Sequence, residues 1–145
     1  MKIRKAIKED VPILESLNNE FFHEEGRDWE KFISSDKLEM FILEEDSKVV
    51  GFAGASFDRW NKTGRIIDIF VHPEHRNKGY GLSLVKYLLE YFKYKDIRCL
   101  IAEAPSLNSV LRVYLKAGFR ICGFNDRYYD NSGKEVALFL SFDFE

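Results

Sequence analysis

The segment Ile66–Leu88, IIDIFVHPEHRNKGYGLSLVKYL, constrains the chain more than any other stretch. An apolar run with strand character ends at Val71, and Pro73 follows closely. Arg76-Asn77-Lys78-Gly79-Tyr80-Gly81 then leads straight into apolar residues at helical spacing. A strand, a glycine-punctuated basic loop and a helix start together make an anion site. First-turn N–H groups have no intrahelical acceptor and carry the positive end of the helix dipole. Gly79 and Gly81 lack a Cβ, so the backbone can close around a diphosphate and take positive φ where the turn demands it.

That physics identifies a phosphate-bearing ligand but no reaction. The loop is not a Walker A loop, because no Gly-Lys-Ser/Thr ends it, and it lacks the GxGxxG of a dinucleotide fold. Val71, Pro73, Arg76, Gly79 and Gly81 spell V-x-P-x-x-R-x-x-G-x-G between strand and helix patterns. This resembles the acetyl-CoA signature of the GNAT family of N-acetyltransferases. The resemblance implies an α/β (α+β) fold, with a mixed central sheet of about six to seven strands and about four flanking helices. It also implies acetyl-CoA as acetyl donor, its pyrophosphate on the amides of Asn77, Lys78, Gly79, Tyr80, Gly81 and Leu82, with Arg76 and Lys78 adding charge. The backbone of Ile69, Phe70 and Val71 would pair with the pantetheine arm and stabilise the oxyanion.

At 145 residues the chain suits one domain, 1–145, and its 46% hydrophobic and 15% aromatic content excludes disorder. A net charge of −2 argues against a nucleic-acid-binding surface spanning the fold. Cys99 and Cys122 lie in apolar runs without a CxxC or a Cys/His cluster, which reads as reduced core thiols in a cytoplasmic protein. No run reaches membrane-spanning length, and MKIRKAIKED lacks the apolar core of a signal peptide. The expected partners are therefore acetyl-CoA and an amine acceptor, with neither nucleic acid nor membrane, and the protein a monomer or homodimer. Charge is uneven: Glu15, Glu20, Glu24, Glu25, Asp28 and Glu30 face one Arg27, whereas Arg59, Lys62, Arg65, Arg76 and Lys78 cluster later.

Along the chain, Lys2–Lys5 reads as a strand, and Asp10 with Pro12 starts a helix carrying Val11, Leu14, Leu17 and Phe21. A second helix covers Trp29 to Ser34. Met40–Glu44 and Lys48–Asp58 form a hairpin, and Asn61-Lys62-Thr63-Gly64 turns into a strand over Arg65–Val71. The helix Gly79–Lys93 places Leu82, Val85, Leu88, Leu89 and Phe92 inward. Ile97–Glu103 is a strand broken by Pro105, and Ser109–Ala117 a helix closed by Gly118. Phe119–Phe124 and Glu135–Phe142 are strands around a polar loop. This element order is the one the GNAT family shows, so the resemblance covers nearly the whole chain.

Acetyl transfer to an amine needs a base, an oxyanion donor and an acid for the departing thiolate. Asn108 and the run Tyr114-Leu115-Lys116-Ala117-Gly118-Phe119 resemble the family's N-x-x-A-…-Y-x-x-x-G-F helix, whose tyrosine protonates the coenzyme sulfur and whose asparagine helps bind the coenzyme. Asn108 stands one residue nearer the tyrosine than usual, and Leu111 replaces the common Ala. Glu103 matches the glutamate that acts as base in the ribosomal-protein alanine acetyltransferase branch, with Asp68 the rival carboxylate. His23, His72 and His75 lack metal-ligand spacing; no metal is expected.

Tyr128 and Tyr129, before a short polar loop and an apolar strand, resemble the tyrosines of protein N-terminal acetyltransferases that hold the first residues of a peptide. Cross-strand packing within the hairpin would use the same rings. Phe21, Phe22 and Trp29 would supply the opposite wall, and the acidic residues beside them would favour a cationic amine. The reading is an acetyl-CoA-dependent transferase acting on a peptide or protein α-amine. A small amine, such as a polyamine or an antibiotic, is the alternative acceptor, and a silent acetyl-CoA-binding module the alternative class.

Overall fold

Strands form where β-branched and aromatic residues concentrate, and two-residue turns or short helices link them. The structure, a computed structural model, describes residues 1–144. The elements are β1 (Lys2–Lys5), α1 (Val11–Leu17), α2 (Trp29–Ser34), β2 (Leu38–Glu45), β3 (Lys48–Asp58), β4 (Thr63–Val71), α3 (Tyr80–Lys93), β5 (Cys99–Pro105), α4 (Val110–Lys116), β6 (Arg120–Asn125) and β7 (Ala137–Asp143). Asp46 and Ser47, both at positive φ, turn β2 into β3 in the geometry a right-twisted hairpin prefers. Asp28 starts α2 by accepting the Lys31 N–H, and Gly118 ends α4 at φ 101°.

The strands make one seven-stranded sheet in the order β1-β2-β3-β4-β5-β7-β6. Every pair is antiparallel except β4 with β5. That parallel contact covers only Thr63–Arg65 against Cys99–Ile101. Past it, β4 continues on β3 to Val71 and β5 continues on β7 to Pro105, so a notch opens between them.

One core lies under α3 and α4, with Leu84, Val85, Leu88 and Phe92 against Phe41, Leu43, Leu100 and Leu140. The other lies under α1 and α2, with Leu14, Leu17 and Trp29 against Met40, Ile42, Phe52 and Phe70. A β-bulge decides which side chains of β4 reach each core. Gly54 pairs with Asp68 and Ala55 with Ile66, so Ile67 is the extra residue. Ile66 belongs to the α3 core, and the inserted residue reverses the parity, sending Asp68 and Phe70 to the α1/α2 face.

Several expectations need correction. Leu84, rather than Leu82, joins the inward stripe of α3. The Asp10 carboxylate does not cap α1: it accepts from the Ile7 N–H and from the Arg4 guanidinium at 2.8 Å, tying α1 to β1. β4 begins at Thr63, with Gly64 inside it because a Cβ there would stand 2.9 Å from Leu100 Cδ1. Pro105 ends β5 opposite Ala137 instead of stopping it earlier. Cys99 is buried, but Cys122 is exposed, since it lies on β6, the edge strand, which is exposed along most of its length. No helix among the described residues is long and apolar enough to cross a membrane.

Candidate active site

The loop between β4 and α3 has the geometry of an anion cradle. Asn77 sits at φ 62° and Gly79 at φ 81°, with Lys78 between them at ordinary φ. Such left–right alternation turns successive N–H groups into one concavity. The N–H groups of Asn77 through Leu82 find no acceptor among the described residues. A Cβ on Gly79 would meet nothing within 4 Å, so the glycine serves the backbone conformation and leaves space in front of the amides. Arg76 donates Nε to the Val71 carbonyl at 2.9 Å, which lays its guanidinium along the end of β4. A diphosphate therefore fits the residues present.

The edge of β4 that borders the notch offers backbone groups of alternate residues. His72 N–H donates to Val50 O at 2.7 Å, so by strand alternation Phe70 turns its N–H and C=O to β3, while Ile69 and Val71 turn theirs to the notch. Of the three residues expected to pair with a pantetheine arm, Phe70 is thus corrected: its backbone is paired with β3 and its ring is buried in the α1/α2 core.

Tyr114 and Glu103 approach the notch from opposite faces. Tyr114 lies on α4, its ring buried against Phe119 at 5.3 Å between centroids. Its hydroxyl makes no hydrogen bond among the described residues, nor is it sealed from solvent. Burial pushes the phenol above its usual pKa, and the charges of Asp68 and then Glu103 push it further, so it stays protonated well above neutrality. Glu103 shares its face with Arg65, whose Nη2 stands 3.2 Å from Glu103 Oε2, and with Phe139, its partner on β7. Asn108 lies at the start of α4, where its Oδ1 accepts the Val110 N–H at 2.9 Å.

Beyond Glu103, Tyr128 and Tyr129 pack edge to face at 5.2 Å, and Tyr128 reaches Phe139 at 6.5 Å. Both rings stay substantially exposed, and the Tyr129 phenol is raised by burial and then by the Glu103 charge. They combine hairpin packing with an open surface.

On the α1/α2 side, Arg27 makes a forked ion pair with the buried Asp68, 2.6 Å at the shorter contact. Its guanidinium also lies 4.6 Å from the Phe32 ring centre, 4.7 Å from Trp29 and 5.6 Å from Phe22. Burial raises the Asp68 pKa, and the guanidinium pulls it back. Trp29, expected in an acceptor wall, is only 2% exposed: as the first residue of α2 it packs its ring on Phe52 of the sheet and leaves little more than an edge to the acidic side. Phe21 and Phe22 remain half-buried, packed on Phe70. Arg27 and Trp29 form the base of a polar hollow of about 440 Å³ that Glu15, Asn18, His23, Glu24 and Glu25 also line. A more apolar hollow of about 320 Å³ between Phe57, Tyr91 and Ile97 holds none of the candidate residues.

Two contacts near the candidate site were not expected from the sequence, the Arg27–Asp68 pair and the ties of Glu45 to the anion loop. Arg27 was visible as the lone cation of an acidic segment and Asp68 as the lone carboxylate of an apolar strand, and that complementarity was the available signal. Glu45, which gathers side chains of the anion loop, stood in a hairpin turn with no such mark.

The model of the acetyltransferase (GNAT) family matches residues 5–119. A streptothricin acetyltransferase of Streptomyces lavendulae is 28% identical over 120 residues, which is 81% of this chain and 64% of that protein. The chain thus spans less than two thirds of that relative. The crystal structure of a ribosomal-protein-alanine N-acetyltransferase from Brucella melitensis superposes with a TM-score of 0.78 at 20% identity, covering 99% of each chain. A Bacillus anthracis protein provisionally assigned as a streptothricin acetyltransferase, solved in complex with acetyl coenzyme A, superposes with a TM-score of 0.74 at 24% identity, covering 86% of this chain and 72% of that one. At these identities the solved structures show likeness of fold.

The Arg27–Asp68 pair yields a stability prediction. Arg27→Met leaves a buried carboxylate without its partner, and urea unfolding should show a loss of about 3–5 kcal/mol. A loss under about 1 kcal/mol would mean that water reaches Asp68 in its place.

Proposed function

The chain belongs to the acetyltransferase (GNAT) family, and from that premise we propose that it transfers the acetyl group of acetyl-CoA directly to a primary amine, the α-amine of a peptide or protein N-terminus. The notch between β4 and β5 carries this reading, because it brings a protonated phenol and a carboxylate to one opening from opposite faces of the sheet. Bound acetyl-CoA supplies the acetyl group as a thioester. The amides of Asn77–Leu82 hold its pyrophosphate, and Arg76 and Lys78 add charge. Ile69 and Val71 pair with the pantetheine arm along the free edge of β4 and offer the oxyanion a backbone N–H.

Glu103 takes the proton of the attacking amine through water as the C–N bond forms, and Tyr114 gives its proton to sulfur as the C–S bond breaks. Solvent exchange then restores both groups. Tyr128 and Tyr129 hold the peptide backbone beside Glu103, with Phe22 on the far side.

A second reading, a small cationic amine as acceptor, is favoured by the hollow lined by Glu15, Glu24 and Glu25. A panel of N-terminal peptides and free amines, followed with acetyl-CoA by mass spectrometry, tests the two directly.

Three expected outcomes check the assignments. Gly79→Asp adds a Cβ and a negative charge inside the cradle, so calorimetry should detect no acetyl-CoA binding; wild-type affinity would remove the loop from the donor site. Tyr114→Phe should lower kcat by roughly 10²-fold with acetyl-CoA affinity kept. Because the phenol is raised, the wild-type rate should climb with pH as the amine deprotonates and show no fall from tyrosine ionisation below about pH 10. An alkaline loss well below that point would assign the acid elsewhere.

The acceptor is checked by Tyr129→Ala, which should raise peptide KM on the order of ten- to hundredfold with kcat kept, as loss of uniform binding does. Unchanged peptide KM with a lower Tm would make the tyrosines hairpin packing and put the small-amine reading first.

A further inference from the structure

Three side chains of the anion loop converge on one carboxylate that belongs to a different part of the sheet. Glu45 ends β2, just before the two-residue turn into β3. Its Oε1 accepts from Tyr80 Oη at 2.6 Å. Its Oε2 lies 2.8 Å from His75 Nδ1 and 3.6 Å from Lys78 Nζ. His75 closes the short 3-10 turn Pro73–His75 that enters the loop, and Tyr80 opens α3, so the carboxylate grips both limbs. Between them lie Asn77 and Gly79, whose positive φ values aim the amides into the cradle.

The loop's other side-chain hydrogen bonds are local. Arg76 reaches back to the Val71 carbonyl, and His72 Nδ1 accepts the Glu74 N–H. Each joins the loop to residues close in sequence, whereas Glu45 is 30 residues from His75 and 35 from Tyr80. An asparagine at positive φ is tolerated only at some cost, so this conformation has to be imposed by its surroundings. The Lys78 contact is longer than a hydrogen bond, which leaves the ammonium able to face a phosphate while it offsets the Glu45 charge.

We infer that Glu45 is the positioning residue of the donor site: it preforms the amide cradle for acetyl-CoA by clamping the loop at His75 and Tyr80. The inference rests on the reading of that loop as the acetyl-CoA pyrophosphate site. Glu45 touches neither reacting group. Its effect is confined to donor binding, because a preformed loop spares the ligand the entropy of ordering it.

The test is acetyl-CoA titration calorimetry with parallel steady-state kinetics on wild type, Glu45→Ala, Glu45→Gln, Tyr80→Phe and the Glu45→Ala/Tyr80→Phe double variant. Glu45→Ala should weaken acetyl-CoA binding on the order of tenfold, the equivalent of about 1.4 kcal/mol. It should leave kcat at saturating acetyl-CoA and the acceptor KM within about twofold. Glu45→Gln keeps an acceptor for Tyr80 and should recover most of the affinity. Tyr80→Phe should weaken binding alone but add little in the Glu45→Ala background, since both changes break one clamp. A lower Tm with unchanged acetyl-CoA affinity in Glu45→Ala would overturn the inference and leave the carboxylate a structural tie. Should Glu45→Ala not fold, Tyr80→Phe carries the test, and wild-type acetyl-CoA affinity in that variant overturns the inference. Wild-type protein that binds no acetyl-CoA would overturn the reading of the loop itself, a result distinct from equal binding by wild type and variant.

Discussion

β4 and β5 run side by side through Thr63–Arg65 and Cys99–Ile101 and then part, and the candidate site depends on that parting. A parallel pair that stops early leaves backbone N–H and C=O groups on an inner edge, where a sheet would otherwise satisfy them with another strand. Apart from the Val71 carbonyl, which accepts from Arg76 Nε, the groups of Ile69 and Val71 on that edge have no partner among the described residues. Each strand is held rigid from its outer side, β4 by β3 and β5 by β7, so the gap does not collapse. The helices follow from the same constraint. α3 starts at the end of β4 and α4 shortly after β5, so an anion cradle and a phenol reach the same opening.

The bulge at Ile67 has an equally local cause and a wide effect. Were Ile67 paired in regular alternation, Asp68 would share the face of Ile66 and enter an apolar core with no cation near it. With the bulge, Asp68 meets Arg27, which holds the connection between α1 and α2 against the sheet. A buried ion pair of this kind seldom adds much net stability, since desolvation offsets its attraction. Its worth lies in specificity: Asp68 accepts a forked donor, Arg27 fills the space between three aromatic rings, and the connection has one position that satisfies both.

Features carried by residue type over short distances were legible in the sequence. Gly79, Pro73 and the basic loop describe their own backbone geometry, and the helical spacing of Val85, Leu88 and Phe92 gives the buried face of α3. Features set by register were not legible. Neither a bulge nor a place at the sheet edge has a compositional mark, so the exposure of Cys122 on β6 and the side taken by Phe70's backbone depend on pairings that only the assembled sheet defines. The depth of Trp29 was not legible either, because its burial comes from α2 packing on the sheet and not from its neighbours in sequence. Glu45 and Asp10 misled in the same way, each bonding to side chains that the fold, not the local sequence, brings near.

The loop between β6 and β7 shows how such a molecule can diverge. Asn125 pairs with Ala137, and the residues between hold their shape largely through their own contacts: Arg127 N–H to Asn125, Ser132 N–H to Asp130, and Lys134 N–H to Ser132. A segment that is internally braced and closed at its base can change length or composition without disturbing the strands that bear it. The same freedom is denied to the stretch from Ile66 to Gly81, where one inserted or lost residue would reverse faces or unseat the cradle. Mutational tolerance is therefore unequal along the chain, broad at the tyrosine-bearing hairpin and narrow at the cradle, so lineages built on this plan can drift in what they recognise while the anion grip stays constant.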